Sequence, residues 1–182
     1  MKIERNTLMR AAAPALVAGL LVPVFATPAG AQEPPGSTAV RFSGSVQLSA
    51  RWGVPNAVTV RVENGNLIIT DSAGVAPGPG CSRPNPNDST LVNCGPLPVA
   101  RLNVALRDQG DSIFVDAPVN TSVDAGTGDD TVRTGSGNDS VNVRDGNPRD
   151  TVDCGEAPGD FDRAIGDPGD GIVATCEQRA TF

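Results

Sequence analysis

AGTGDDTVR (residues 125–133) runs directly into TGSGNDSVN (134–142), and the way these two nine-residue units repeat decides the fold. They hold Gly126 and Gly135, Gly128 and Gly137, Asp130 and Asp139, and Val132 and Val141 in one phase. A helix would repeat its apolar positions every three or four residues, and no such pattern is present. One apolar residue between polar neighbours, after a turn rich in Gly and Asp, describes a very short strand with a single inward side chain. The glycines suit such turns because they reach backbone conformations that other residues avoid. Stacked strand–turn units make a parallel β-solenoid, with Val132 and Val141 building its core. A solvated acidic loop, in which Asp only favours turns, gives no reason for the valines to keep phase with the Asp residues.

The same turns collect oxygen. Asp130 and Asp139 supply carboxylates, and the glycine positions 126, 128, 135 and 137 let backbone carbonyls face a shared centre. Hard oxygen ligands of this kind suit calcium. Apart from the first Gly of each unit, the pattern resembles that of the RTX (hemolysin-type) calcium-binding repeat family. That resemblance implies a β-roll in which two nonapeptides make one coil, and calcium lies between turns stacked on one edge. Weaker copies extend the pattern, so that the tripeptide Asp-x-apolar recurs as Asp111-Ser112-Ile113, Asp130-Thr131-Val132, Asp150-Thr151-Val152 and Asp170-Gly171-Ile172. Asn120, Asp139 and Asp160 or Asp162 would line the other edge. The resemblance implies a metal set of Asp111, Gly126, Gly128, Asp130, Gly135, Gly137, Asp139 and Asp150. The turn before Asp111 departs from the family pattern, with Arg107 and Gln109 at glycine positions, and the turn before Asp150 is longer and carries Pro148. One or two well-formed ion sites are therefore expected, not a full row. The run from Asp150 to Glu177 resembles the end of small secreted actinobacterial RTX-like proteins, and a Cys154–Cys176 bridge there would staple the last coil to its neighbour.

Upstream, residues 32–98 read as a β-rich region preceding the solenoid of residues 99–182. Ala57–Val62 and Leu67–Thr70 flank Glu63-Asn64-Gly65-Asn66, a hairpin in which Asn-Gly accepts the positive φ angles of a tight turn. Trp52 is expected to pack in the core or against the hairpin. Residues 72–98, dense in Pro, Gly, Asn and Ser, read as an irregular loop. Four Cys allow three pairings; the local one, Cys81 with Cys94 and Cys154 with Cys176, is preferred. The fold class is all-β throughout.

At the amino terminus Lys2, Arg5 and Arg10 precede an apolar stretch and Ala29-Gly30-Ala31, the order of a secretory leader (1–31) cleaved after Ala31. The stretch is short for a membrane span and carries Pro14 and Pro23, so export to the extracellular space is expected, without membrane insertion. The whole chain has a net charge of −7. From Asp108 onward, 16 acidic residues face 5 basic ones. Such a surface disfavours nucleic acid and favours a cation. Without His anywhere, and without Lys after residue 31, the usual nucleophile–base pairs and zinc sites lack their parts, and no enzyme activity is expected. A hydrolase built on paired carboxylates would need a cleft and a raised pKa. The expectation is thus a secreted calcium-binding protein whose metal couples to folding. The alternative is an extracellular surface or matrix interaction protein, with an unknown partner, that uses the repeats as scaffold.

Overall fold

Valine dominates the interior because the short strands from Leu102 onward each contribute only one or two inward positions to a narrow space between two sheets. The computed structural model describes residues 34–182, so the leader reading lies outside the described residues. These residues form one compact unit. The described residues are all-β, with no helix.

The strands in chain order are β1 (Ser37–Phe42), β2 (Ser45–Ala50), β3 (Ala57–Glu63), β4 (Asn66–Asp71), β5 (Val75–Pro77), β6 (Leu91–Pro96), β7 (Leu102–Ala105) and β8 (Ser112–Asp116). They continue with β9 (Thr121–Asp124), β10 (Thr131–Arg133), β11 (Ser140–Asn142), β12 (Thr151–Asp153), β13 (Arg163–Gly166), β14 (Gly171–Ile172) and β15 (Gln178–Thr181). One sheet has the order β15-β13-β11-β9-β7-β2-β1-β5, and the other β14-β12-β10-β8-β3-β4-β6. From β7 onward the chain alternates between the sheets at every strand, and every pairing among these strands is parallel.

The register puts like on like. In one sheet Leu48, Val104, Val123, Val141 and Ala164 stand in a single row. In the other, Val58, Ile113, Val132, Val152 and Ile172 do the same. All but the half-buried Ile172 are buried, and the two rows belong to one hydrophobic core. The β-rich upstream region shares both sheets with the repeat, through β2 on β7 and β3 on β8. The expected hairpin is present as β3 and β4, with positive φ at Asn64 and Gly65.

Two expectations need correction. Residues 72–98 are not wholly irregular, because β5 pairs with β1 and β6 closes the edge of the second sheet against β4. The Pro and Gly that suggested a loop crowd the span between those strands, while Leu91, Val92 and Cys94 continue the alternation of a strand. Trp52 is not in the core; it is 64% exposed in the turn between β2 and β3. Every aromatic side chain among the described residues is exposed: Phe42, Trp52, Phe114, Phe161 and Phe182. An interior filled by Val, Leu, Ile and Ala from two facing sheets leaves no place for a ring.

Both disulfides have the local pairing, Cys81 with Cys94 and Cys154 with Cys176. The first ties the long connection to β6. Cys154 and Cys176 are both fully buried and close the carboxyl-terminal end of the core, where Ala164 is small.

Ile113 lies between Val58 and Val132 and is 2% exposed, so Ile113→Ala should lower unfolding free energy by about 2–5 kcal/mol. Urea denaturation measures this. Thr131→Ala, on the outward face of the adjacent strand, should stay within about 0.5 kcal/mol of the parent.

Candidate metal centre

Strands β8, β10, β11, β12, β13 and β14 are each preceded by a turn whose last residue is an Asp that reaches across to the turn one level back. On one edge the Asn56 N–H donates to Asp111 Oδ1 at 2.7 Å, and that of Asp111 to Asp130 Oδ1 at 2.8 Å. The Asp130 N–H then donates to Asp150 Oδ1 at 2.7 Å, and that of Asp150 to Asp170 Oδ1 at 3.1 Å. On the other edge Thr121 N–H donates to Asp139 Oδ1 at 2.7 Å, Asp139 N–H to Asp162 Oδ1 at 2.8 Å, and Asp162 N–H to Glu177 Oε2 at 2.7 Å. The structure therefore stacks the expected Asp111, Asp130 and Asp150 in one column and sets Asp139 in the other.

The second oxygen of each carboxylate distinguishes these residues from ordinary caps. Oδ2 of Asp111, Asp130, Asp139 and Asp150 is buried and has no hydrogen-bond partner. The four residues are 1–3% exposed. Thr134, beside Asp139, has one hydroxyl proton and donates it to the carbonyl of Cys154 at 3.0 Å. Burial raises the pKa to about 7 for Asp111 and Asp139 and to about 6 for Asp130 and Asp150. Neighbouring carboxylates push further in the same direction, and the accepted N–H bonds oppose them. Asp170 differs, because its Oδ2 accepts the Asp167 N–H at 2.6 Å.

The glycines let adjacent turns touch. Gly128 has φ of 149°, and a Cβ there would run into the carbonyl of Gln109 on the previous turn; Gly126, with φ of 94°, has the same relation to Arg107. Gly135 packs against the carbonyl of Val115, and Gly137 against the backbone of Val119. In the turn before Asp111, Arg107 and Gln109 themselves take positive φ angles of 86° and 79°. The departure from the repeat pattern leaves the shape of that turn intact and stores backbone strain at two non-glycine residues.

The columns suit a hard cation in part. They present buried, unpartnered carboxylate oxygens and tightly stacked backbone carbonyls, the donor types calcium takes. Among the described residues no three or more His, Cys, Asp or Glu side chains group to hold a metal. A cation here would draw its remaining ligands from carbonyls of the glycine-rich turns.

The sequence pattern missed several members. Asn56 heads the first column, and its side-chain amide donates to Asp71 Oδ2 at 2.7 Å. Asn56-Ala57-Val58 is itself an Asx-x-apolar tripeptide in register with Asp111-Ser112-Ile113, a relation visible in sequence only if the repeat is sought upstream of residue 99. On the second edge Asp162 continues the column, whereas Asp160 accepts the Gly137 N–H. Asn120 lies in a parallel row, where its side chain accepts the Asn138 N–H and that of Asn138 accepts the Phe161 N–H. Comparison of the chain with family models, with curated proteins and with solved structures finds no match.

Two outcomes follow from this geometry. A carboxyl whose pKa is higher in the folded than in the unfolded protein contributes stability below the unfolded value of 3.8, and that contribution is lost as pH rises through about 6 to 7. Asp167, held low chiefly by the Gly146 and Asp145 N–H groups, acts below this window. In chelator, the urea midpoint should therefore fall between about pH 5 and about pH 7.5; a rise would show that these carboxyls are not desolvated. Gln109→Gly should raise stability by about 1 kcal/mol by relieving its positive φ, and Gly128→Ala should lower it by more.

Proposed function

We propose that the protein is a secreted calcium-binding module in which a parallel β-solenoid of the β-roll kind holds Ca²⁺ between its Gly- and Asp-rich turns, with binding coupled to folding. The observation that carries this reading is the set of buried, unpartnered Oδ2 atoms on Asp111, Asp130, Asp139 and Asp150. A buried anion without a counter-charge is costly, and a cation bound between the turns removes that cost. Asp111, Asp130 and Asp150 would serve one edge and Asp139 the other, with carbonyls of the turns containing Gly126, Gly128, Gly135 and Gly137 completing the shells. Calcium supplies the charge that lets the carboxyls stay ionised at neutral pH, and the disulfides suit an oxidising compartment. Export with cleavage after Ala31 predicts a secreted chain beginning at Gln32.

A second reading, an extracellular surface or matrix interaction protein with the repeats as scaffold, is favoured by Phe42 and Trp52, 81% and 64% exposed in the upstream region.

Calorimetric titration after chelation, with circular dichroism alongside, separates these readings. The calcium module shows saturable binding between about 10⁻⁶ and about 10⁻³ M, with a gain in thermal stability. Asp130→Asn and Asp139→Asn keep the oxygen that accepts the backbone N–H and remove the charge, so they should abolish binding while the β-signal remains. Unchanged stability and no heat at about 10 mM calcium would leave the scaffold reading.

A further inference from the structure

Beside the first column, on the outer side of the sheet that carries β7 and β9, lies a groove of about 340 Å³. Trp52 and Arg107 line it, Arg144 and Asp145 lie along it, and Asp124, Gly126 and Thr127 contribute to its walls. The Arg107 guanidinium sits over the Trp52 ring at 5.5 Å from the centroid, and its Nε donates to the Ala50 carbonyl. Arg144 lies similarly over Phe182 at 5.5 Å. Neither guanidinium makes a salt bridge among the described residues, although acidic residues outnumber basic ones from Asp108 onward.

Arg107 is the strained residue of the groove. It holds a φ of 86° at the level where the next turn has Gly126, a conformation that disfavours a long side chain. Gln109 in the same turn shares the strain, but of the two only Arg107 lines the groove, where its side chain has partners. Here it fixes a fork of N–H donors against an exposed indole. Opposite charges are available nearby, since the exposed Asp124 accepts from Asn142 through Oδ1 and keeps Oδ2 for a further donor, while Thr127 adds a hydroxyl.

We propose that this groove binds a sugar acid, a pyranose ring bearing a carboxylate. The part of the exposed Trp52 ring that Arg107 leaves uncovered packs against the apolar face of the pyranose, Arg107 and Arg144 pair with the carboxylate, and Asp124 and Thr127 bond to ring hydroxyls. The groove volume is in the range of small-ligand sites. The net negative charge of the region argues against polyphosphates, which would be repelled from all but these two guanidinium groups. The proposal rests on the groove and is independent of the calcium reading.

Trp52 is the single tryptophan of the chain, so its fluorescence reports on the groove directly. The full chain is titrated at fixed millimolar calcium with methyl glucuronide and with methyl glucoside, which differ only at C6, a carboxylate in one and a hydroxymethyl in the other. Saturable change with the glucuronide is expected, with binding of the glucoside weaker by roughly tenfold or more. Arg144→Gln should remove most of that discrimination, and Arg133→Gln, on the other sheet, should leave it intact. Circular dichroism shows that the Arg144 variant is folded. No saturable response to the glucuronide, equal binding of the two sugars, or unchanged discrimination in folded Arg144→Gln would each overturn the proposal.

Discussion

The contact on which the stack depends is the bond from a backbone N–H to the carboxylate of an Asp one turn further along. At each turn the strand ladder has ended, and the next N–H would otherwise be buried without a partner, a loss proteins rarely accept. The Asp side chain supplies the missing acceptor. The same residue's carbonyl accepts from the residue after the next Asp: Thr131 N–H donates to the Asp111 carbonyl, Thr151 N–H to that of Asp130, and Gly171 N–H to that of Asp150. Each Asp thus continues the ladder by one rung beyond the strand, partly through its side chain. This explains why strands of two or three residues hold register: the rung is set by a charged group that fits in one place.

That rung also fixes what can lie inside. With a turn every few residues, the two sheets cannot separate to admit large rings, and the interior is a double row of Val, Ile and Leu narrowing to Ala164. The aromatic residues are displaced outward, where Arg107, Arg133 and Arg144 stack on Trp52, Phe114 and Phe182. The buried Cys154–Cys176 bridge fills the narrow end, where apolar side chains are too few to close it.

How much of this the sequence discloses depends on how strongly each element is periodic. The Asp-x-apolar phase through Asp111, Asp130, Asp150 and Asp170 exposes the first column, because the spacing drifts by a single residue. The local cysteine pairing and the Asn-Gly hairpin are legible for chemical reasons that involve neighbours in sequence. Asn56 and Asp71 are not, since the upstream strand joins the repeat by register, and the lone tripeptide Asn56-Ala57-Val58 lacks the paired glycines that mark the later units. Strand β6 is hidden by the Pro and Gly before it. Trp52 shows the limit of a burial rule, because residue type alone carries no information about the thickness of the core.

Why these positions hold Asp bears on what they do. Asn could accept the same N–H without bringing a charge into the interior, and the molecule uses it so elsewhere: Asn120 and Asn138 accept backbone N–H groups from the following level, each with an uncharged side chain. At the head of the first column Asn56 stands where the later turns have Asp, and its amide is turned to Asp71. Structure alone therefore does not call for a carboxylate at 111, 130, 139 and 150. Burial opposes ionisation at all four, and their second oxygens have no hydrogen-bond partner. A feature that costs stability, repeated on both edges and avoidable by a change of one atom, is accounted for by the proposed cation between the turns and not by turn formation alone.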